Sequence, residues 1–254
     1  MKVDIVPEVV DNSNHFISVV IPAFNEELRI AGTIQSVHDY LRKRYASYEI
    51  VVVDDGSTDA TSKIVAALAK ERNYLRLIRH VVNSGKGFTV KAGIFAASGN
   101  IIVMSDADLS TPIEESEKLL SYYEKGVDVV IGSRGLKESD IVGRQPWYRG
   151  RMGKIFNLFV RLLVIGDFRD TQCGFKMFRR DVARELFSRC RINHFCFDVE
   201  ILFIAKKLGF RIKEVPIRWI NSPDSKVKIF KDSLRMLIDL IIIRVNSYRG
   251  FYSD

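Results

Sequence analysis

The sequence predicts an α/β fold: a Rossmann-like, mostly parallel central sheet flanked by helices, with amphipathic helices toward the C-terminus. Three observations predict it. Short apolar runs alternate with amphipathic stretches through the first half of the chain. Tyr48–Val53 is a near-continuous apolar run, the pattern of a strand buried on both faces. Polar residues directly follow three of the runs, as expected where strands deliver ligand-binding loops to one edge of a sheet.

The elements follow in order. Ile17–Ile21 is a β-branched strand ended by Pro22. Leu28, Ile30, Ile34, Val37 and Leu41 recur at helical spacing. After the strand Tyr48–Val53, Ser57 or Thr58 is placed to cap a helix carrying Ile64, Val65 and Leu68. Leu75–Ile78 is the next strand. A helix from about Phe88 to Ala97 follows, with Gly99 as its C′ residue. Ile101–Met104 runs as a strand into Ser105-Asp106-Ala107-Asp108. Thr111-Pro112 reads as N-cap and N1 of a helix ending near Gly126, before the strand Val129–Ile131. Residues 135–150 are Gly- and charge-rich and read as a mobile loop. Helices at 151–165 and 229–247 close the chain.

The bulk numbers bound the class. A chain of 254 residues, 47% hydrophobic and 28% charged, can bury a core without staples. Cys173, Cys190 and Cys196 form no C-x-x-C pair and read as reduced thiols of a cytoplasmic protein. The first sixteen residues contain no apolar signal-peptide segment. The net charge of +8 is uneven: −3 over residues 1–126 and +11 over 127–254. A basic C-terminal half implies an anionic partner. No stretch approaches the ~20 apolar residues of a spanning helix. The nearest, 155–165 and 237–245, are interrupted by charge and suit a core or a bilayer surface.

Three strand-end segments carry chemistry. Asp106 and Asp108, spaced i, i+2, can face one hard cation, Mg²⁺ or Mn²⁺; the plain alternative is a turn. Asp54 and Asp55, in Asp54-Asp55-Gly56-Ser57-Thr58-Asp59, can accept hydrogen bonds from a ribose or a base, or simply make a solvated Asx turn. In Pro22-Ala23-Phe24-Asn25-Glu26-Glu27, Phe24 can stack on a base, or Asn25 can cap a helix. No G-x-G-x-x-G or G-x-x-x-x-G-K-[ST] follows a strand, which counts against NAD enzymes and P-loop ATPases.

Taken together, IPAFNEE, VVVDDGSTD, NSGKGFTVKAG, SDADLSTP and GSR resemble the catalytic domain of glycosyltransferase family 2, the GT-A fold. RDTQCGFKMF (169–178), FDVEIL (197–202) and the DSK of 224–226 are similar to a narrower group, the dolichyl-phosphate glucosyltransferases, and less so to the dolichyl-phosphate mannose synthases. The resemblance covers about 15–250. It implies that 1–254 is a single catalytic domain, with a nucleotide-sugar half at about 15–134 and an acceptor and membrane-surface half at about 135–254.

The resemblance also implies roles. Pro22, Ala23, Phe24 and Glu26 would line the nucleotide site, with Asp54 and Asp55 on base and ribose. Lys86 would lie beside the donor, and Gly85 and Gly87 would let the backbone approach it. Asp106, with Ala107 beside it, would meet ribose and metal, and Asp108 the metal. Ser110 stands where the mannose synthases have Gln, which leaves the third protein ligand open. Arg134 and Arg149 match arginines that bind a lipid phosphate, and both count as catalytic candidates. Lys226 is a further acceptor candidate. Thr171 and Gln172 would line the acceptor pocket. Asp198, two residues before Glu200, would act on or orient the acceptor.

A phosphomonoester acceptor is already ionised near neutral pH, with a second pKa of about 6, so it needs cations rather than a strong base. With this, the reaction the resemblance implies is inverting, metal-dependent transfer of a hexose, glucose from UDP-glucose first, to a polyprenyl (dolichyl) phosphate at the cytoplasmic face of a membrane. Alternatives are GDP-mannose as donor, a hydroxyl acceptor with Asp198 as base, and a non-catalytic nucleotide- or RNA-binding protein. No stacking-aromatic pattern supports nucleic acid as a partner.

Overall fold

A computed structural model describes residues 15–143, 147–221 and 229–253. Seven strands form the main sheet: β1 (Phe16–Ala23), β2 (Ser47–Asp54), β3 (Leu75–Arg79), β4 (Ile101–Met104), β5 (Val129–Ser133), β7 (Lys176–Arg179) and β8 (Ile212–Pro216). β6 (Asp140–Val142) and β9 (Arg218–Ile220) pair in parallel as a separate two-stranded ribbon. The helices are α1 (Ile30–Leu41), α2 (Thr61–Glu71), α3 (Lys86–Ala96), α4 (Ser116–Tyr123), α5 (Trp147–Leu163), α6 (Arg180–Arg189), α7 (Phe197–Lys207) and α8 (Ile229–Tyr248).

The strand order is β3-β2-β1-β4-β7-β5-β8. All pairings in this sheet are parallel except those of β7, which runs antiparallel between β4 and β5. Successive strands extend outward from β1 through β2 to β3; β4 then returns to the other side of β1. The crevice between β1 and β4 is the topological switch point, where open α/β sheets bind ligands.

Strand periodicity divides the core in two. Ile17, Val19 and Ile21 of β1 face one side with Ile50, Val52, Ile101 and Val103, under α1, α2 and α4. Val20 faces the other with Val51, Val53, Ile102 and Met104, under α3, α6 and α7. Both faces are covered, which is why these strands read as continuous apolar runs. β7 and β8 come from the second half of the sequence, so the two halves share one sheet.

Several local expectations are corrected. Leu28 precedes α1 and is 95% exposed. Neither Ser57 nor Thr58 caps α2, which begins at Thr61. Ser57 Oγ instead accepts from the Asn25 amide at 2.9 Å, and the Thr58 amide donates to Asn25 Oδ1 at 2.9 Å. Gly99 lies beyond the end of α3, where a Cβ would stand 2.4 Å from the Phe16 carbonyl oxygen of β1. Thr111-Pro112 leads into a 3-10 turn at Ile113–Glu115 before α4. The expected loop 135–150 contains β6 and the start of α5.

Candidate active site

The site is assembled from the loops after β1, β2 and β4. In the first, Asn25 adopts a left-handed φ of 55°, a conformation an asparagine tolerates better than most residues. The Glu26 amide donates to Thr61 Oγ1 at 2.7 Å, and the Glu27 amide to Asp59 Oδ2 at 3.1 Å. The first two loops are thus tied side by side through residues 25–27 and 57–61. Glu26 itself is ion-paired with Arg29. Asn25 does not cap α1; no side chain does. Pro22 and Phe24 are half-buried and Ala23 is buried.

The two acids after β2 have different surroundings. Asp55 accepts from the Ser84 and Gly85 amides at 2.8 and 2.9 Å and lies 3.3 Å from His80 Nδ1, bracing the loop before α3. Asp54 is fully buried; its Oδ1 accepts from the Ser57 amide at 3.2 Å. Asp54 Oδ2 has no hydrogen-bond partner among the described residues and only a 3.7 Å ion-pair contact with Arg79.

After β4 the backbone alternates. Ala107 is buried and its carbonyl accepts from Thr33 Oγ1 at 2.6 Å, fixing the turn to α1. The flanking Asp106 and Asp108 remain part-exposed. Asp108 Oδ1 accepts from the Ser110 amide at 2.9 Å. Lys86, the first residue of α3, places Nζ 2.6 Å from Asp106 Oδ1. Burial by itself would raise the Asp106 pKa; the Lys86 ammonium, with Lys176 and Arg134 farther off, outweighs it and holds the carboxyl below the usual range. The back of this carboxylate rests on Gly174, where a Cβ would stand 2.2 Å from Asp106 Oδ2.

The donor set at this edge is therefore two part-exposed carboxylates, one of them firmly ionised. No cluster of three His, Cys, Asp or Glu side chains suited to a metal exists among the described residues. Two hard oxygens with open positions suit Mg²⁺ or Mn²⁺, which complete their shells with water and diphosphate oxygens. The residues fit such an ion.

The acceptor candidates described sit just after β5 and in the segment before β7. Arg134 makes a bidentate pair with Asp170, Nε to Oδ2 at 2.6 Å and Nη2 to Oδ1 at 2.9 Å, and its guanidinium lies 5.8 Å from the Trp219 ring centroid. The arginine is held in one orientation by this pair while part of its side chain stays exposed. Burial would raise the Asp170 pKa, but the Arg134 guanidinium holds the carboxyl below its ordinary range. Thr171 is buried; the Gln172 amide donates to Asp170 Oδ1 at 3.1 Å. Gln172 Nε2 is buried without a partner among the described residues. The Arg149 side chain and Lys226 lie outside the described residues.

Asp198 is 2% exposed and paired with Lys176, which is 0% exposed and also donates to the Cys173 carbonyl. Burial drives the Asp198 carboxyl up, and the ammonium groups of Lys176 and Lys86 only partly offset it. Glu200 points elsewhere, onto the amides of Arg191 and Ile192. The chain itself gives a second reason for glycine at 85 and 87, besides the expected approach of the backbone to a donor. A Cβ at Gly85 would lie 2.5 Å from the Asn193 carbonyl oxygen, and one at Gly87 2.6 Å from that of Ile192.

Sequence reasoning missed Asp170, Gly174 and Lys176, all within RDTQCGFKMF. The available signal was Lys176 itself, a charge inside an apolar run of a buried strand, which requires a partner.

The profile of the family described as glycosyl transferase family 2 matches residues 18–187. The chain belongs to this family. Curated relatives agree. A dolichyl-phosphate beta-glucosyltransferase of Dictyostelium discoideum is 35% identical, over 97% of this chain and 80% of that protein. The enzyme of that name from Homo sapiens is 34% identical over 96% and 79%, and that of Saccharomyces cerevisiae 35% over 96% and 78%. Solved family 2 structures share the fold. Mannosyl-3-phosphoglycerate synthase from Rubrobacter xylanophilus aligns with a TM-score of 0.67 at 20% identity, over 93% of this chain and 75% of that one. Glucosyl-3-phosphoglycerate synthase from Mycobacterium tuberculosis, in complex with Mn²⁺ and UDP-glucose, gives 0.63 at 21%, over 91% and 79%. As a family 2 member the chain is a glycosyltransferase with a GT-A fold.

Proposed function

We propose that this glycosyltransferase, acting as one catalytic domain, moves glucose from UDP-glucose to a polyprenyl phosphate of the dolichyl type, with inversion. The observation that carries the reading is the charge cluster at the β1/β4 switch point, where Asp106, Asp108 and Lys86 converge. The names of the relatives above support glucose as the sugar and a dolichyl phosphate as the acceptor, and a solved neighbour in complex with UDP-glucose supports the donor. A solved neighbour that binds Mn²⁺ and UDP-glucose supports the metal.

In the reaction an acceptor phosphate oxygen bonds to the anomeric carbon as the bond from that carbon to the diphosphate breaks. Asp106 and Asp108 would hold Mg²⁺ or Mn²⁺, which when bound neutralises the departing diphosphate. Lys86, fixed beside Asp106, adds a cation to the same charge. Asp54 Oδ2 and the side chains of Pro22, Phe24 and Glu26 face the nucleotide. Arg134, held in plane by Asp170, meets the acceptor phosphate, with Arg149 and Lys226 as further cations; Thr171 and Gln172 line that pocket. The phosphate is already ionised, so no side chain must remove its proton. Asp198, enclosed with Lys176, suits orienting this pocket better than abstracting a proton. Acceptor and product are both lipid-linked, which supports work at a membrane surface, and we propose its cytoplasmic face. Among the described residues no helix is long and apolar enough to cross one.

The test is Asp108→Ala. Turnover is expected to fall by about 10²-fold or more, the scale of losing a group that stabilises developing charge, with an unchanged melting temperature. A folded variant with full turnover contradicts the reading.

A further inference from the structure

The far C-terminus is tied to the donor side of the site through a chain of buried hydrogen bonds. Tyr252, the third residue from the end, is 0% exposed. Its hydroxyl donates to Glu200 of α7 and accepts from Asn246 Nδ2 at 3.1 Å. Glu200, also 0% exposed, accepts from the Arg191 amide at 3.0 Å and the Ile192 amide at 2.9 Å. Two outer contacts fasten the same strip. Arg189 Nη1 donates to the Ser253 carbonyl at 2.5 Å, and the Arg191 guanidinium lies 4.0 Å from the Phe251 ring centroid.

The other side of the strip seats α3. The Cys190 carbonyl accepts from Lys91 Nζ at 3.0 Å, and the Asn193 carbonyl accepts from the Phe88 amide at 3.1 Å. The carbonyls of Ile192 and Asn193 approach Gly87 and Gly85 so closely that neither position has room for a Cβ. Lys86 lies between these two glycines. The first turn of α3 can therefore take its place only if 190–194 holds its own.

We propose that Tyr252 and Glu200 are positioning residues that clamp 190–194 onto the first turn of α3 and so hold Lys86 against Asp106. The two side chains do not reach the reacting atoms; they act on the donor through a strip of backbone. The inference rests on reading Lys86 as a donor residue, and Lys86→Ala tests that reading by itself: an unchanged donor KM in that variant removes Lys86 from the donor site.

The clamp is tested with Tyr252→Phe, which keeps the ring and removes the hydroxyl, and with Phe251→Ala, which loosens the tail from the exposed side. Full-length variants are compared by hydrogen–deuterium exchange and by steady-state kinetics with UDP-glucose and polyprenyl phosphate. Deuterium uptake is expected to rise at 190–194 and at 86–89, with β1 and β2 unchanged. The KM for the nucleotide sugar is expected to rise and kcat to fall, together lowering kcat/KM for the donor about 10-fold because Lys86 meets the diphosphate both bound and departing, while the acceptor KM stays within about 2-fold. A general loss of packing would not divide the kinetic constants in this way. An unchanged donor KM, or unchanged uptake at 86–89, in both variants overturns the proposal.

Discussion

Asp106 is held from three directions, and the most exacting contact is with a residue that has no side chain. Its carboxylate meets Lys86 in front, feels the charges of Lys176 and Arg134 beyond, and lies on Gly174 behind. Gly174→Ala would press a methyl group into Oδ2, with Asp106 atoms as its three nearest neighbours. The carboxylate must move by about 1 Å, and misplacements of that size cost on the order of 10² in rate. We expect such a loss of kcat/KM with a melting temperature close to wild type; wild-type kinetics would mean that the carboxylate position does not matter. The pair of aspartates was legible in the sequence because it follows a buried strand directly. Its cradle was not. Gly174 and Lys176 precede and begin an antiparallel strand of four residues, Lys-Met-Phe-Arg, which shows no alternation of apolar and polar positions to announce it.

The elements divide along the same line. β1, β2, β4 and β5, each with several β-branched residues, were readable as apolar runs, and β3 as a shorter one with Leu75, Leu77 and Ile78. β6, β8 and β9 are short and charged, and only their register with neighbours identifies them. Helix starts misled because the loop hydroxyls are engaged across the site: Ser57 serves Asn25 rather than its own helix. The C-terminal helices fulfil their amphipathic pattern. α5 buries Val160 and exposes Leu158 (55%) and Leu162 (72%); α8 buries Leu240 and Ile243 and exposes Leu234 (65%) and Ile241 (60%). The two helices pack on each other, with Arg161, Arg235 and Arg244 exposed beside the apolar residues. Such a surface suits the headgroup layer of an anionic bilayer. The protein is expected to pellet with phosphatidylserine vesicles at low salt. Leu162→Glu combined with Ile241→Glu is expected to reduce binding at least about 10-fold, since each removes a buried apolar side chain from the interface. Equal pelleting by the double variant would place the contact on another surface.

At the scale of the molecule, one sheet joins an acidic first half to a basic second half. The acidic half brings the carboxylates that suit a metal and a nucleotide; the basic half brings Arg134 and the helices with exposed arginines. The charge asymmetry was visible in the sequence, but its purpose was not, because an anionic partner can be a phosphate, a membrane or a nucleic acid. Family membership decides for glycosyl transfer, and the reading proposed above puts the donor at the β1/β4 crevice and an anionic acceptor beside β5. The most direct measurement is transfer of radiolabelled glucose from UDP-glucose to detergent-dispersed polyprenyl phosphate by the purified protein, with Mn²⁺ and with EDTA. A chloroform-soluble labelled product that forms with Mn²⁺ and is absent with EDTA is the expected result. Hydrolysis of UDP-glucose with no lipid product would contradict the account and move the acceptor from a lipid phosphate to a hydroxyl.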